Sequence, residues 1–200
     1  MNKLKFFLLA SALILIVSCS NIPLTTMMKL MNLNPLETDP KQLVVAVKTP
    51  EGVDVRDGDV VIDFSFRTDD PDVSFNHNFP VITNDDYVIP DSLKENIEDK
   101  EKVTIMQLSK QDALTMYEGQ QAVKEYRRKH EEGGAGSMNV RLVSACRGDN
   151  FLSSNSELNV YLKTQDDENF FLFLEDMDIT ELDGDIQRNI NAIPDCGEAG

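Results

Sequence analysis

The chain has 200 residues, 41% of them hydrophobic and 7% aromatic, with 35 Asp and Glu against 19 Lys and Arg and a formal net charge of -16. Such acidity argues against binding nucleic acid, whose phosphates need a basic face, and against docking on anionic headgroups by charge. A basic partner or a divalent cation is permitted, although charge of this size speaks first to solubility.

The chain opens with Lys3 and Lys5, followed by a 12-residue apolar run from Phe6 to Val17. As a helix that run covers roughly 18 Å, against a hydrocarbon core of about 30 Å, so it is too short to span a bilayer comfortably. Two lysines, a short apolar stretch and the small residue Ser18 make the pattern of a cleaved export signal over residues 1–18. The next residue is a cysteine, and Ile16-Val17-Ser18-Cys19 resembles the lipobox of bacterial lipoproteins: a branched apolar residue, a tolerated one, a small one, then Cys. That resemblance implies a diacylglyceryl group on Cys19, cleavage before it and acylation of the new amino terminus. Two or more chains hold firmly, at about 0.8 kcal/mol per buried methylene. The alternatives are an ordinary signal peptide with an incidental Cys19, or an uncleaved signal anchor. Ser20 stands where some bacteria place Asp for inner-membrane retention. This favours the outer membrane, facing the periplasm, over the inner membrane or the cell surface.

Removal of residues 1–18 leaves 182 residues with 17 basic and 35 acidic side chains, a net of -18. That length suits one domain. Residues 19–39 read as a lipidated N-terminal segment and residues 40–200 as a single β-rich domain. Of three cysteines, Cys146 and Cys196 remain, an even number in an oxidising compartment, and they are expected to pair. The bridge would close a loop of about 50 residues, worth roughly 4 kcal/mol on chain entropy, and would tie Ile193-Pro194-Asp195-Cys196 back onto a strand.

Between Ser20 and Asp39 the chain is unlike a polar tether, since Met27, Met28, Leu30, Met31, Leu33 and Leu36 cluster there. The spacing predicts a short helix over about 25–31, ended by Asn34-Pro35, with Met27, Leu30 and Met31 on one side. That side is expected to pack on the domain's own core, with a Met-lined contact for a partner or lipid as the other use.

Beyond Pro40, short runs rich in Val, Ile and Phe alternate with Asp, Asn, Gly and Pro, which is strand and turn punctuation. Strands are predicted over 43–48, 59–66, 103–108, 138–146, 158–164 and 170–174, with weaker candidates over 73–79 and 178–182. One helix is predicted over 109–131, capped by Ser109 with Asp112 three residues on. Its Met116, Gly119, Val123 and Tyr126 fall on one side, with Gly119 allowing close approach to a sheet. Lys124, Arg127, Arg128 and Lys129 suit the negative end of its dipole, and Gly133 to Ser137 stops it. The fold expected is mainly β: an antiparallel two-layer, Ig-like β-sandwich with one inserted helix. The order of an Asn-Pro-Leu step, an Asp-Pro step, a strand pair, one helix, a Gly-rich break and a strand ending in Cys146 resembles a group of short Gram-negative lipoproteins. The resemblance implies lipidation and a β-rich domain, and it brings no active site with it.

Hydrolase triads and metal sites draw on histidine, and only His77 and His130 exist. In a strand His77 would point with Phe75 and Phe79, and His130 ends the charged helix, so no catalytic set and no metal ligands are assigned. With both remaining cysteines paired, no Cys-His nucleophile is expected either. Acidic groups at Asp54, Asp57 and Asp59, at Asp69, Asp70 and Asp72, at Asp166, Asp167 and Glu168, and from Asp176 to Asp185 raise calcium as an alternative. EF-hand spacing fails at Asp178, because Leu182 and Asp183 occupy the fifth and sixth places. Trp is absent and Tyr scarce, which argues against sugar stacking. The expected role is a non-catalytic binding or assembly accessory, without cofactor, held on the membrane by Cys19 and facing an envelope protein. A calcium- or carbohydrate-binding module and an enzyme are the alternatives.

Overall fold

The structure, a computed structural model, describes residues 22–23, 25–27, 29, 33–95, 97–130, 133–182 and 193–197. Its strands are β1 (Val44–Thr49), β2 (Val53–Asp54), β3 (Val60–Arg67), β4 (Phe75–Thr83), β5 (Lys102–Leu108), β6 (Ala135–Leu142), β7 (Cys146–Arg147), β8 (Glu157–Lys163) and β9 (Phe171–Asp178). Among the described residues two helices are complete, α1 (Asp91–Lys94) and α2 (Lys110–Lys129). Seven strands form one curled antiparallel sheet in the order β6-β3-β4-β5-β1-β8-β9, and β2 pairs with β7 in a second, small sheet. The mainly β, sandwich-like fold read from the alternation is therefore the one observed.

Strand periodicity places the core. In β3, Val60, Ile62, Phe64 and Phe66 are buried while Val61, Asp63 and Ser65 alternate with them, as a sheet with one solvated face requires. β1 reads differently, because Val44, Val45, Ala46 and Val47 are all buried. It lies mid-sheet, paired with β5 on one side and β8 on the other. Val45 and Val47 join the main core, and Val44 and Ala46 join a second cluster with Ile105 and Leu93. α1 therefore roofs the outer face of the sheet through Leu93, whose burial contributes about 2 kcal/mol.

α2 covers the core from the other side. Ser109 caps it, its Oγ accepting from Asp112 N at 3.1 Å. Met116, Gly119 and Val123 are buried as predicted, along with Ala113 and Gln120. A Cβ on Gly119 would stand 3.1 Å from a ring carbon of Phe64 and 3.2 Å from one of Phe75, so glycine sets how closely helix and sheet approach. Gln120, 1% exposed, donates from Nε2 to Pro35 O and Thr38 O, both at 2.8 Å. Gln120→Leu leaves two acceptors without a donor and is expected to cost about 2 kcal/mol. Hydrogen exchange over 35–42 should quicken with it, and unchanged protection there would show that the amide does not hold this segment.

Three expectations are corrected. The single strand over 138–146 is two: Val143 N gives β6 a last bond to Asp59 O (2.8 Å), Ser144 N doubles onto the same carbonyl (3.3 Å) and so leaves the register, and β7 pairs with β2 instead of β3. The strand over 178–182 is instead the end of β9 followed by a 3-10 turn, since the Asp178 carboxylate accepts from Thr180 N at 2.8 Å and from Thr180 Oγ1 at 2.7 Å. A short polar side chain that bonds the local backbone competes with a ladder. In the N-terminal segment, Thr25–Met27 and Lys29 are helical, but Thr26 is the buried side chain and Met27 is 41% exposed. Leu30 and Met31 lie outside the described residues.

Candidate functional site

Two regions carry the residues singled out in the sequence. Cys19 and the apolar run before it lie outside the described residues, but the segment that follows is docked. Thr26 Oγ1 donates to Leu172 O of β9, and Lys29 Nζ sits 4.8 Å from the centre of the Phe171 ring. Further on, Gln120 holds Pro35 and Thr38, and Lys124 pairs with Glu37 at 3.2 Å.

At the disulfide-closed end, Cys146 and Cys196 are bonded, with Cα atoms 4.9 Å apart. The tail lies parallel to β7: Arg147 N donates to Pro194 O and Cys196 N to Arg147 O, both at 2.9 Å, while the Arg147 guanidinium meets Asp195 at 2.6 Å. Ile193 enters the core. Beside the bridge, where β5 runs past the end of its pairing with β4, a depression of about 320 Å³ opens among Asp54, Arg56, Thr83, Asn84, Lys102 and Thr104. Its charges neutralise one another: Lys102 Nζ reaches both Asp54 oxygens at 2.8 Å. Such a lining can offer hydrogen bonds, but it holds no nucleophile beside a base.

The histidines are occupied by packing. His77 stacks on Phe75 at 5.0 Å and meets Phe79 at 5.5 Å, as its place in the strand implied. His130 stacks on Tyr126 at 4.2 Å.

Most of the acidic groups close turns or pair. Asp57 accepts from Thr83 N (2.7 Å), Asp59 from Arg56 N (2.8 Å), Asp70 from Asp72 N (3.0 Å) and Glu168 from Thr164 Oγ1 (2.6 Å). Among the described residues no three His, Cys, Asp or Glu converge where a metal ion could sit. The Asp183 and Asp185 positions lie outside those residues. Within the helical basic cluster, Glu125 binds Arg128 and Lys129, each at 2.8 Å, and their hydrogen bonds hold its carboxyl down at about 2.

On the exposed face of the sheet, hydrogen bonds from the Arg141 guanidinium, helped by Asn78, hold the Asp63 carboxyl below the ordinary value of 3.8. A depressed carboxyl adds stability above that value and loses it as pH falls through the lower, folded one. Asp63→Asn is therefore expected to flatten the fall in Tm between pH 5 and 2, modestly because the pair is partly solvated. An unchanged acid limb would show that the pair contributes nothing.

Leu114 and Tyr117, one turn apart on α2, are 46% and 50% exposed. β6 pairs with β3 and, among the described residues, with no strand on its other side. Its side chains there are mostly polar and exposed, and Asn139 Oδ1 accepts from Val140 N at 3.0 Å, which blunts the edge.

Sequence reasoning missed Gln120 and Thr26, because a polar residue on a helix reads as solvated. Only the Gln120 position, among Met116, Gly119 and Val123, hinted otherwise. No described helix is long and apolar enough to cross a membrane. The chain matched no family model, no curated protein and no solved structure in the comparisons made.

Proposed function

We propose that this protein is a lipoprotein of a bacterial envelope, acylated on Cys19 and carried on the periplasmic face of the outer membrane, where it acts as a non-catalytic binding or assembly accessory. The observation that carries the reading is Ile16-Val17-Ser18-Cys19 closing a 12-residue apolar run behind two lysines. The Cys146–Cys196 bond supports it, since such bonds persist in oxidising compartments. The non-catalytic part is supported by the use of both histidines in aromatic stacking and of Cys146 and Cys196 in a bond. Contact with an envelope protein would use the exposed face of α2, where Leu114 and Tyr117 stand.

The test is mass spectrometry of the mature N-terminus together with fractionation. The wild type should carry acyl chains on Cys19 and sediment with membranes, and Cys19→Ser should be released into the soluble fraction. A wild-type protein lacking acyl chains sinks the reading. Crosslinking in intact cells, followed by pull-down, should enrich a specific envelope partner over a lipidated control domain. Turnover in a substrate screen would replace the accessory role with an enzymatic one.

A further inference from the structure

We propose that the domain does not swing on a tether but lies against the bilayer with the β9 side of its sheet, on a surface of low net charge. This rests on the acylation of Cys19 proposed above.

The argument is one of reach. Thr26 is 2% exposed and fixed to Leu172 of β9, and Thr26 N (2.9 Å) and Met27 N (3.1 Å) both donate to Pro23 O, which fixes Pro23 to the same turn. Cys19 lies four residue steps before Pro23, and four steps span at most about 14 Å even when fully extended. A flexible tether of 20 residues would instead give an r.m.s. span of about 25 Å and leave the domain free to turn. The acylated sulfur must stand at the headgroups, so the surface beside Leu172 stands there too.

The residues at this exit fit that placement. Met27 presents an apolar side chain, 41% exposed, on the turn from which the chain departs. Lys29 lies alongside, over the Phe171 ring. The same neighbourhood carries Glu37, Asp167 and Glu168, which line one depression with Lys29. These carboxylates would be repelled by anionic headgroups, so attachment comes from the acyl chains and the short link, and neutral headgroups are the surface that suits it. In the strand order the turn between β3 and β4 lies four strands from β9, outside the short radius that the link from Pro23 allows, and it serves as the reference position.

The chain contains no tryptophan, so one introduced Trp reports its own position. The full acylated protein, confirmed by mass spectrometry, would be reconstituted in phosphatidylcholine vesicles carrying a headgroup nitroxide quencher. Met27→Trp, and Thr25→Trp as a second exposed probe on the same turn, should be quenched several-fold more than Asp70→Trp in the β3–β4 turn. Inserting 20 Gly and Ser residues between Ser20 and Asn21 should remove most of that difference. Equal quenching at positions 27 and 70 in acylated protein, or a difference that survives the insertion, would overturn the proposal. Absence of acyl chains in the starting material would instead remove the lipoprotein reading beneath it, and the two failures are told apart before any fluorescence is read.

Discussion

Cys146→Ser and Cys196→Ser are each expected to lower the unfolding free energy by about 4 kcal/mol, the value for a loop of about 50 residues on chain entropy. Among the described residues the tail is otherwise held by two backbone hydrogen bonds to Arg147, one buried side chain and one ion pair. Ile193 buries one side chain, worth about 2 kcal/mol, and the Arg147–Asp195 pair, 28% and 52% exposed, is worth under about 1 kcal/mol. Ordering the backbone of residues 193–197 costs about 1–2 kcal/mol each, so without the bond the tail should leave β7. Urea unfolding gives the first number, and the rate at which a protease trims the C-terminus gives the second. A serine variant with an unchanged midpoint and a protected tail would mean that the strand pairing, and not the bridge, closes this end of the domain.

Gly52→Ala should be nearly as damaging, at about 3 kcal/mol. Gly52 has φ of +82°, and a Cβ there would stand 2.4 Å from the backbone nitrogen of Phe151, so main chain would have to move. The displaced segment, 148–151, follows directly on β7, and Gly148 N donates to Gly52 O at 2.9 Å. Moving it therefore disturbs the pairing of β2 with β7 that presents Cys146 to its partner. Gly58 is the control: its φ is +86°, but the nearest atom to a Cβ is a Pro80 side-chain carbon at 3.8 Å. Gly58→Ala should show only the cost of the left-handed backbone, about 1 kcal/mol. Equal losses in the two variants would mean that the approach to Phe151 relaxes freely.

Much of the fold was legible along the chain because its causes are local. Alternation in β3 identified a strand with one buried face, the Ser109 cap and the spacing of Met116, Gly119 and Val123 identified α2, and three cysteines, with Cys19 assigned to the proposed lipobox, left a single pairing to expect. Where the expectation failed, a contact from elsewhere intervened. β6 and β7 part because Ser144 N doubles onto Asp59 O, which already accepts from Val143 N, and because β7 pairs with β2, and nothing near residue 143 announces either partner. β9 runs past the expected 170–174 to Asp178 and stops there because Asp178 bonds Thr180, a local choice that hydrophobic counting over 178–182 hides.

The candidate sites divide in the same way. The export and acylation signals proposed above lie in consecutive residues and need no fold to be read. The sequence by itself determined the strand and helix content and the cysteine pair. Only the tertiary structure decided how the N-terminal segment joins the body. The burial of Thr26 against Leu172, the capture of Pro35 and Thr38 by Gln120 and the close seat of α2 on Phe64 and Phe75 join residues far apart in the chain. The free energy of each such contact depends on a partner brought there by the rest of the fold.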